Sequence, residues 1–279
     1  MEGFFKRYAR NYGAIFGLIV IIAVACIAIA APYLYQESPW NMVAAPLIPP
    51  FTDSAYPFGT DMLGRDITAG LVWGARVSLL IGLLSTAIAL IFGIIVGTLS
   101  GYFGGWVDDM LMRFTEFFQT IPQLALAVVI VAVAKPSLYS IMAAITVVSW
   151  PPAARLVRSE FMSLKQREFV LAAIVAGQKP NKIIWSQILP NAMSPIIVSA
   201  SFMVATAILT ESALSFLGLG DRNMMSWGFM IGAARTMIRE AWWMIVWPGV
   251  AILLTVLAIN LIGEGLNDAL NPQLRRRNE

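Results

Sequence analysis

The chain has 279 residues, 58% of them hydrophobic and 13% charged, which is too apolar for a soluble domain of this length. It carries no histidine and a single cysteine, Cys26, which excludes imidazole-based metal sites, His-dependent acid–base catalysis and an internal disulfide. The net charge of +3 is small, so the placement of charge along the chain says more than its sum.

The first ten residues are short and basic (Lys6, Arg7, Arg10), and residues 11–36 hold no charge. About 20 apolar residues cross the roughly 30 Å hydrocarbon core of a bilayer. The Ala28-Ile-Ala30 triplet looks like a signal-cleavage site, but the apolar core is longer than a signal h-region, so an uncleaved first span is expected. Residues 37–76 contain Pro39, Pro46, Pro49, Pro50 and Pro57 and read as a long extramembrane loop. It closes on Phe58-Gly-Thr-Asp61-Met-Leu-Gly64-Arg65-Asp66, where the Gly and Asp spacing predicts tight turns held by side-chain-to-backbone bonds.

Residues 77–107 are uncharged and hold a second span ending near Gly101, Gly104 and Gly105. A third helix is expected from Trp106, with Asp108 and Asp109 in its first turn, an Arg113–Glu116 pair on one face, and a kink at Pro122. Residues 137–154 form a fourth span, broken by Pro151-Pro152. Residues 191–210 form the fifth, 211–240 a second extramembrane stretch, and 241–263 the sixth. Trp227, Trp242, Trp243 and Trp247 read as an interfacial aromatic belt.

Between the fourth and fifth spans, residues 155–190 carry six of the nineteen Lys and Arg residues. Ala and Leu richness before Gly177 favours a helix, Gly177 a left-handed stop, and Pro180 the first turn of a second short helix, with Pro190 opening the next apolar run. With this stretch and both termini inside, thirteen Lys and Arg residues fall on the cytoplasmic side and six outside, the expected bias for an even number of spans.

The stretch resembles the cytoplasmic loop of permease subunits in binding-protein-dependent ABC importers. That pattern is Glu-Ala-Ala, three residues, Gly, nine residues, Ile, one residue, Leu-Pro. Ala172, Ala173, Gly177, Leu189 and Pro190 match; Leu171 replaces the Glu and Gln187 the Ile. In that family the loop docks on a separate ATPase subunit. The resemblance implies coupling through Glu168, Ala172, Ala173, Gly177, Ile183, Ile184, Leu189 and Pro190, with Glu168 standing in part for the missing Glu.

Residues 58–66, followed by Gly74-Ala-Arg76-Val-Ser78, are similar to the dipeptide, oligopeptide and nickel branch of the family. So are Thr210-Glu-Ser-Ala-Leu-Ser-Phe-Leu-Gly-Leu-Gly220, Ser226-Trp-Gly228 and the run from Gly263 to Pro272. Asp221-Arg-Asn-Met-Met225 stands where the family often places prolines. The resemblance implies a binding-protein contact or outer entrance at Asp61, Gly64, Arg65, Asp66 and Trp227. Glu211 and Ser212 are candidates for the translocation path, with a helix-end or interhelical role for Glu211 as the alternative. Glu264 and Asp268 are expected to face the ATPase or the Arg155–Arg158 pair.

The implied fold is all-α, a polytopic membrane bundle of six transmembrane helices of the type I ABC importer permease fold. Residues 1–76 give the first helix and the outer loop; residues 77–279 give a five-helix core with the coupling loop. The chain has no Gly-x4-Gly-Lys-Ser/Thr loop and no catalytic or metal cluster. ATP and Mg are therefore expected on partner subunits, and no enzyme activity on this chain. Expected partners are a sister permease, two ATPase subunits, an external substrate-binding protein and the lipid bilayer of a bacterial or archaeal cytoplasmic membrane, with no nucleic acid. The cargo is expected to be a small peptide or nickel. The rival reading, a secondary transporter or channel, calls for inverted repeats, and the sequence shows none.

Overall fold

The computed structural model describes residues 8–270. The expectations for Lys6, Arg7, Pro272 and Arg275 to Arg277 lie outside the described residues. Helix α1 spans Tyr12–Leu34, and the Asn11 side chain caps it by accepting from the Ala14 N–H at 3.0 Å. Helix α2 spans Ile67–Phe103. Residues 67–76, expected in the loop, are thus helical: Asp66 accepts from the Thr68 N–H at 2.8 Å and starts the helix early.

Helices α3 (Gly105–Thr120) and α4 (Gln123–Ala134) are bent by 83°. The expected kink at Pro122 is a full break, because the residue before a proline is pushed out of helical geometry; Ile121 is extended at φ −93°, ψ 131°. Arg113 and Glu116 form no ion pair; the paired carboxylate in this helix is Asp108.

Helix α5 spans Leu138–Lys165 and runs unbroken through Pro151 and Pro152. The surface it packs against accounts for this departure from expectation. Gly93, Gly97 and Gly101 form a side-chain-free stripe on α2. A Cβ at Gly97 would sit 2.4 Å from the Ala154 carbonyl oxygen, and one at Gly101 2.6 Å from the Phe161 Cβ. Backbone-close packing of this kind supports α5 as one continuous helix where its own hydrogen bonds are missing.

Helix α6 spans Glu168–Val175 and is followed by the short α7 (Pro180–Lys182). The second short helix is not separate from the fifth span. It winds through a π-helical turn, Ile183–Ile188, into α8 (Leu189–Leu214). The wider turn lies directly ahead of Pro190, whose ring would crowd a regular α-helix. A second π-helical stretch, Ser215–Leu219, extends α8, so residues 211–217 are helix rather than loop, and the run kinks at Gly218 (φ +86°). Helix α9 (Trp227–Ala234) is short, and α10 spans Trp243–Leu270.

Among the described residues, five helical runs are long and apolar enough to cross a membrane: α1, α2, α5, Pro180–Leu219 and α10; the bent α3–α4 pair makes a sixth if it counts as one span. One apolar cluster joins Ile81, Val131, Ile145 and Leu214 across α2, α4, α5 and α8. Another joins Val157, Phe161, Val170, Ile183 and Ile188 beneath the central hairpin.

Gly93→Val is expected to overpack the α2–α5 contact, since even a Cβ there would lie 2.7 Å from that of Ala153, at a cost of about 1–3 kcal/mol. Gly249→Val, with open space around the site, is the control. Membrane abundance and the thermal midpoint in detergent should fall for the first and hold for the second.

Candidate functional site

The central hairpin is fixed on one side and bare on the other. Val170, Ala173, Ile183, Ile184 and Ile188 point into the cluster formed with Val157 and Phe161. Phe169, Leu171, Ile174 and Trp185 are exposed, and Val175 is 88% exposed. Helix α6 is therefore apolar on nearly every face, while this chain covers only one. Glu168 opens it, and Ala172 is exposed beside Leu171. Leu189 is partly buried against the same cluster, and Pro190 is exposed. Ile183 and Ile184 thus anchor the hairpin and do not form its outer surface. The bare residues Phe169, Leu171, Ile174 and Val175 were missed by the motif, although helical spacing around Val170 and Ala173 marks them.

Gly177 makes the turn at φ +72°. The Gly177 N–H donates to the Ile174 carbonyl at 2.9 Å and the Gln178 N–H to the Ala173 carbonyl at 3.1 Å, the bonding of a Schellman cap. A Cβ there would meet nothing within 4 Å, so the demand for glycine is one of backbone conformation alone.

Ion pairing fastens the base of the hairpin. Arg158 on α5 donates to Asp108 on α3 through Nε at 2.6 Å and through Nη2 at 2.5 Å. The Ser100 hydroxyl on α2 also donates to Asp108. Lys165, the last residue of α5, donates to the Tyr102 carbonyl at 2.6 Å, a cation at the carbonyl end of α2. Asp108 is thus a three-helix clasp and not only a helix-start charge. Asp268 accepts from the Asn11 amide at 3.1 Å, and Arg158 is taken by Asp108, so the expected meeting of the C-terminal acids with Arg158 does not occur.

At the opposite end, the separated motifs converge. Asp61 accepts the backbone N–H groups of Leu63 and Arg65 through Oδ1, and the Arg65 Nε at 2.6 Å through Oδ2. Gly59 and Gly64 take φ +83° and +74°. Arg65 lies 5.2 Å over the Trp40 ring, and Trp40 meets Phe229 edge-on at 5.2 Å. The Arg65 side chain is only 12% exposed, so it ties the loop together and offers little surface to a partner. Trp227 and Trp243 are not belt residues. The Trp227 indole donates to the Leu71 carbonyl and its backbone N–H to the Ser78 hydroxyl, while the Trp243 indole donates to the Thr60 carbonyl. Gly74 leaves the space Trp227 fills: a Cβ there would lie 2.7 Å from the Trp227 Cδ1.

Glu211 is 1% exposed. Its Oε1 accepts the Ser226 hydroxyl at 2.7 Å and the Ser215 hydroxyl at 2.8 Å, and Ser226 accepts the Phe229 N–H as the cap of α9. Glu211 therefore pins α9 to α8, the interhelical alternative raised from sequence. Ser212 is half-buried and donates to the Ile208 carbonyl within its own helix. Among the described residues no three His, Cys, Asp or Glu side chains gather as a metal site.

Comparison with known proteins fits this arrangement. Residues 89–276 match the family of binding-protein-dependent transport system inner membrane components, and residues 1–58 match the N-terminal TM domain of oligopeptide transport permease C. The dipeptide transport system permease protein DppC of Alkalihalophilus pseudofirmus is 42% identical over 97% of this chain and 89% of its own length. The di/tripeptide transport system permease protein of Pseudomonas aeruginosa is 40% identical over 99% and 93%. Among solved structures, the inward-facing MetNI methionine ABC transporter aligns with TM-score 0.61 at 18% identity, covering 74% of this chain and 98% of that one. That likeness gives the fold.

Glu211→Ala strands two buried hydroxyls and is expected to cost about 1–3 kcal/mol, lowering the thermal midpoint in detergent, whereas Glu211→Gln keeps the accepting oxygen and stays near wild type. Equal midpoints for Ala and Glu at this position would remove the pinning role.

Proposed function

The chain belongs to the family of binding-protein-dependent transport system inner membrane components, and we propose that it is the C-type permease half of an ATP-driven importer of small peptides. The observation that carries this reading is the apolar hairpin: an anchored inner face, an exposed outer face, and a rigid left-handed turn between them. Such a surface is built to enter a cleft on another subunit. ATP and Mg would be held by two ATPase subunits, and hydrolysis would occur there. Peptides are favoured over nickel as cargo because the relatives named above are dipeptide and di/tripeptide permeases.

In this reading a sister permease completes the path, and an external binding protein delivers the peptide to the end that carries residues 35–66. The hairpin and both termini face the bacterial cytoplasm, in line with thirteen basic residues against six. Movement of the ATPase subunits would enter through α6. From there it would pass along two continuous routes: through α7 and the π-helical turn into α8, and through the shared cluster into α5. The first route ends at Glu211 and α9, and the second at the glycine stripe of α2.

Proteoliposomes holding the permease pair, the ATPase subunits and the binding protein should accumulate dialanine only with ATP. Gly177→Val adds a strain of roughly 1–2 kcal/mol from backbone alone, which leaves insertion and abundance intact. Uptake should fall at least about tenfold, and the ATPase should no longer respond to loaded binding protein. Wild-type uptake and stimulation in Gly177→Val would remove the hairpin from coupling.

A further inference from the structure

A groove of about 480 Å³ opens at the loop end, walled by the segment after α1, the first turns of α2, the start of α5 and the loop before α9. Glu37, Trp40, Trp73, Arg76, Leu138 and Asn223 are among its lining residues. Its size lies within the ~300–1,000 Å³ typical of small-ligand sites. Its walls are fixed in place: the Asp221 carboxylate accepts the Leu138 N–H at 2.8 Å and the Asn223 N–H at 2.9 Å, tying the loop before α9 to the start of α5.

Two charged groups in the groove have capacity to spare. Arg76 is exposed and has no carboxylate partner among the described residues. Its guanidinium lies 6.0 Å over the Trp73 ring, a placement that steadies it without using its hydrogen-bond donors. The Trp73 ring is one wall of the groove, and its indole N–H is sealed from it. Glu37 receives one bond, from the Asn41 amide at 3.3 Å, and keeps its other oxygen. The groove thus offers a free guanidinium, a carboxylate and aromatic walls.

We propose that this groove is a transfer site for the incoming peptide, with Arg76 taking its terminal carboxylate and Glu37 its ammonium. The inference rests on the peptide reading above. Recognition is of the main-chain ends, so the site is indifferent to side-chain identity and the aromatic walls accept varied residues. The concave shape, with both signs of charge on its lining, favours a small zwitterion over a protein surface. Binding is weak, on the order of millimolar, because a transfer site must release what it takes.

The test uses the full transporter in nanodiscs with Cys26→Ser and Asn223→Cys, following maleimide labelling at position 223. Dialanine should slow labelling, while dialaninamide and N-acetyl-dialanine should need at least about tenfold higher concentrations. Arg76→Gln should raise the half-protecting dialanine concentration by about tenfold or more, and Arg76→Lys should recover most of it. Protection equal for dialanine and its amide, or unchanged in Arg76→Gln, would overturn the proposal. So would loss of binding-protein affinity in Arg76→Gln with protection intact, which would make the guanidinium a protein contact. Dialanine uptake by the wild-type proteoliposomes is measured separately, so failure of the peptide reading is distinguishable from failure of this site.

Discussion

The structure depends on the contact between α2 and α5. Gly93, Gly97 and Gly101 let the two backbones approach so closely that no side chain fits between them. In a bilayer there is little hydrophobic drive between apolar helices, so such packing and buried hydrogen bonds must supply cohesion. This contact keeps α5 helical through Pro151 and Pro152 as far as Lys165. The platform under the hairpin is the end of α5, with Val157 and Phe161 facing Val170, Ile183 and Ile188. Asp108, held by Arg158 and Ser100, closes the same corner from α3. The hairpin is therefore carried by a base fixed from three helices.

The opposite end uses a different device. There, buried polar groups join elements far apart in sequence: Glu211 to Ser226, Trp227 to Leu71 and Ser78, Trp243 to Thr60. Each bond removes a polar group that would be costly to leave unpaired. Together they fix α9 against α2 and α8 and set the loop over α10. The two ends are linked by the run Pro180–Leu219, continuous as far as a kink at Gly218 (φ +86°), and its two π-helical stretches lie near its two ends. A wider helical turn is a natural place for rotation to be absorbed.

Much of this was legible from residue order. Apolar blocks located the spans, Gly177 and Pro180 located the turn, and the motif residues located both ends. What stayed hidden was set by tertiary contact. Pro151-Pro152 reads as a break because a local rule cannot see the glycine stripe opposite. Asp66 reads as a turn residue until its cap to Thr68 is visible. Glu211 reads as a pore candidate because sequence does not reveal that Ser215 and Ser226 meet the same oxygen. Trp227 and Trp243 read as belt residues because their acceptors lie far away in the chain. The exposed side of α6 was the recoverable omission, since an all-apolar short helix with one anchored face leaves the other faces bare. Family membership also sets aside the secondary-transporter alternative, which sequence alone had left open.

The most direct test of the hairpin's role is site-specific photo-cross-linking in the assembled transporter. A photoreactive residue at Val175, 88% exposed, is expected to capture the ATPase subunit, whereas one at Ile184, 4% exposed, should react only within the chain. Capture of lipid alone at position 175, or capture of the ATPase subunit from position 184, would contradict a hairpin anchored on one face and docked by the other.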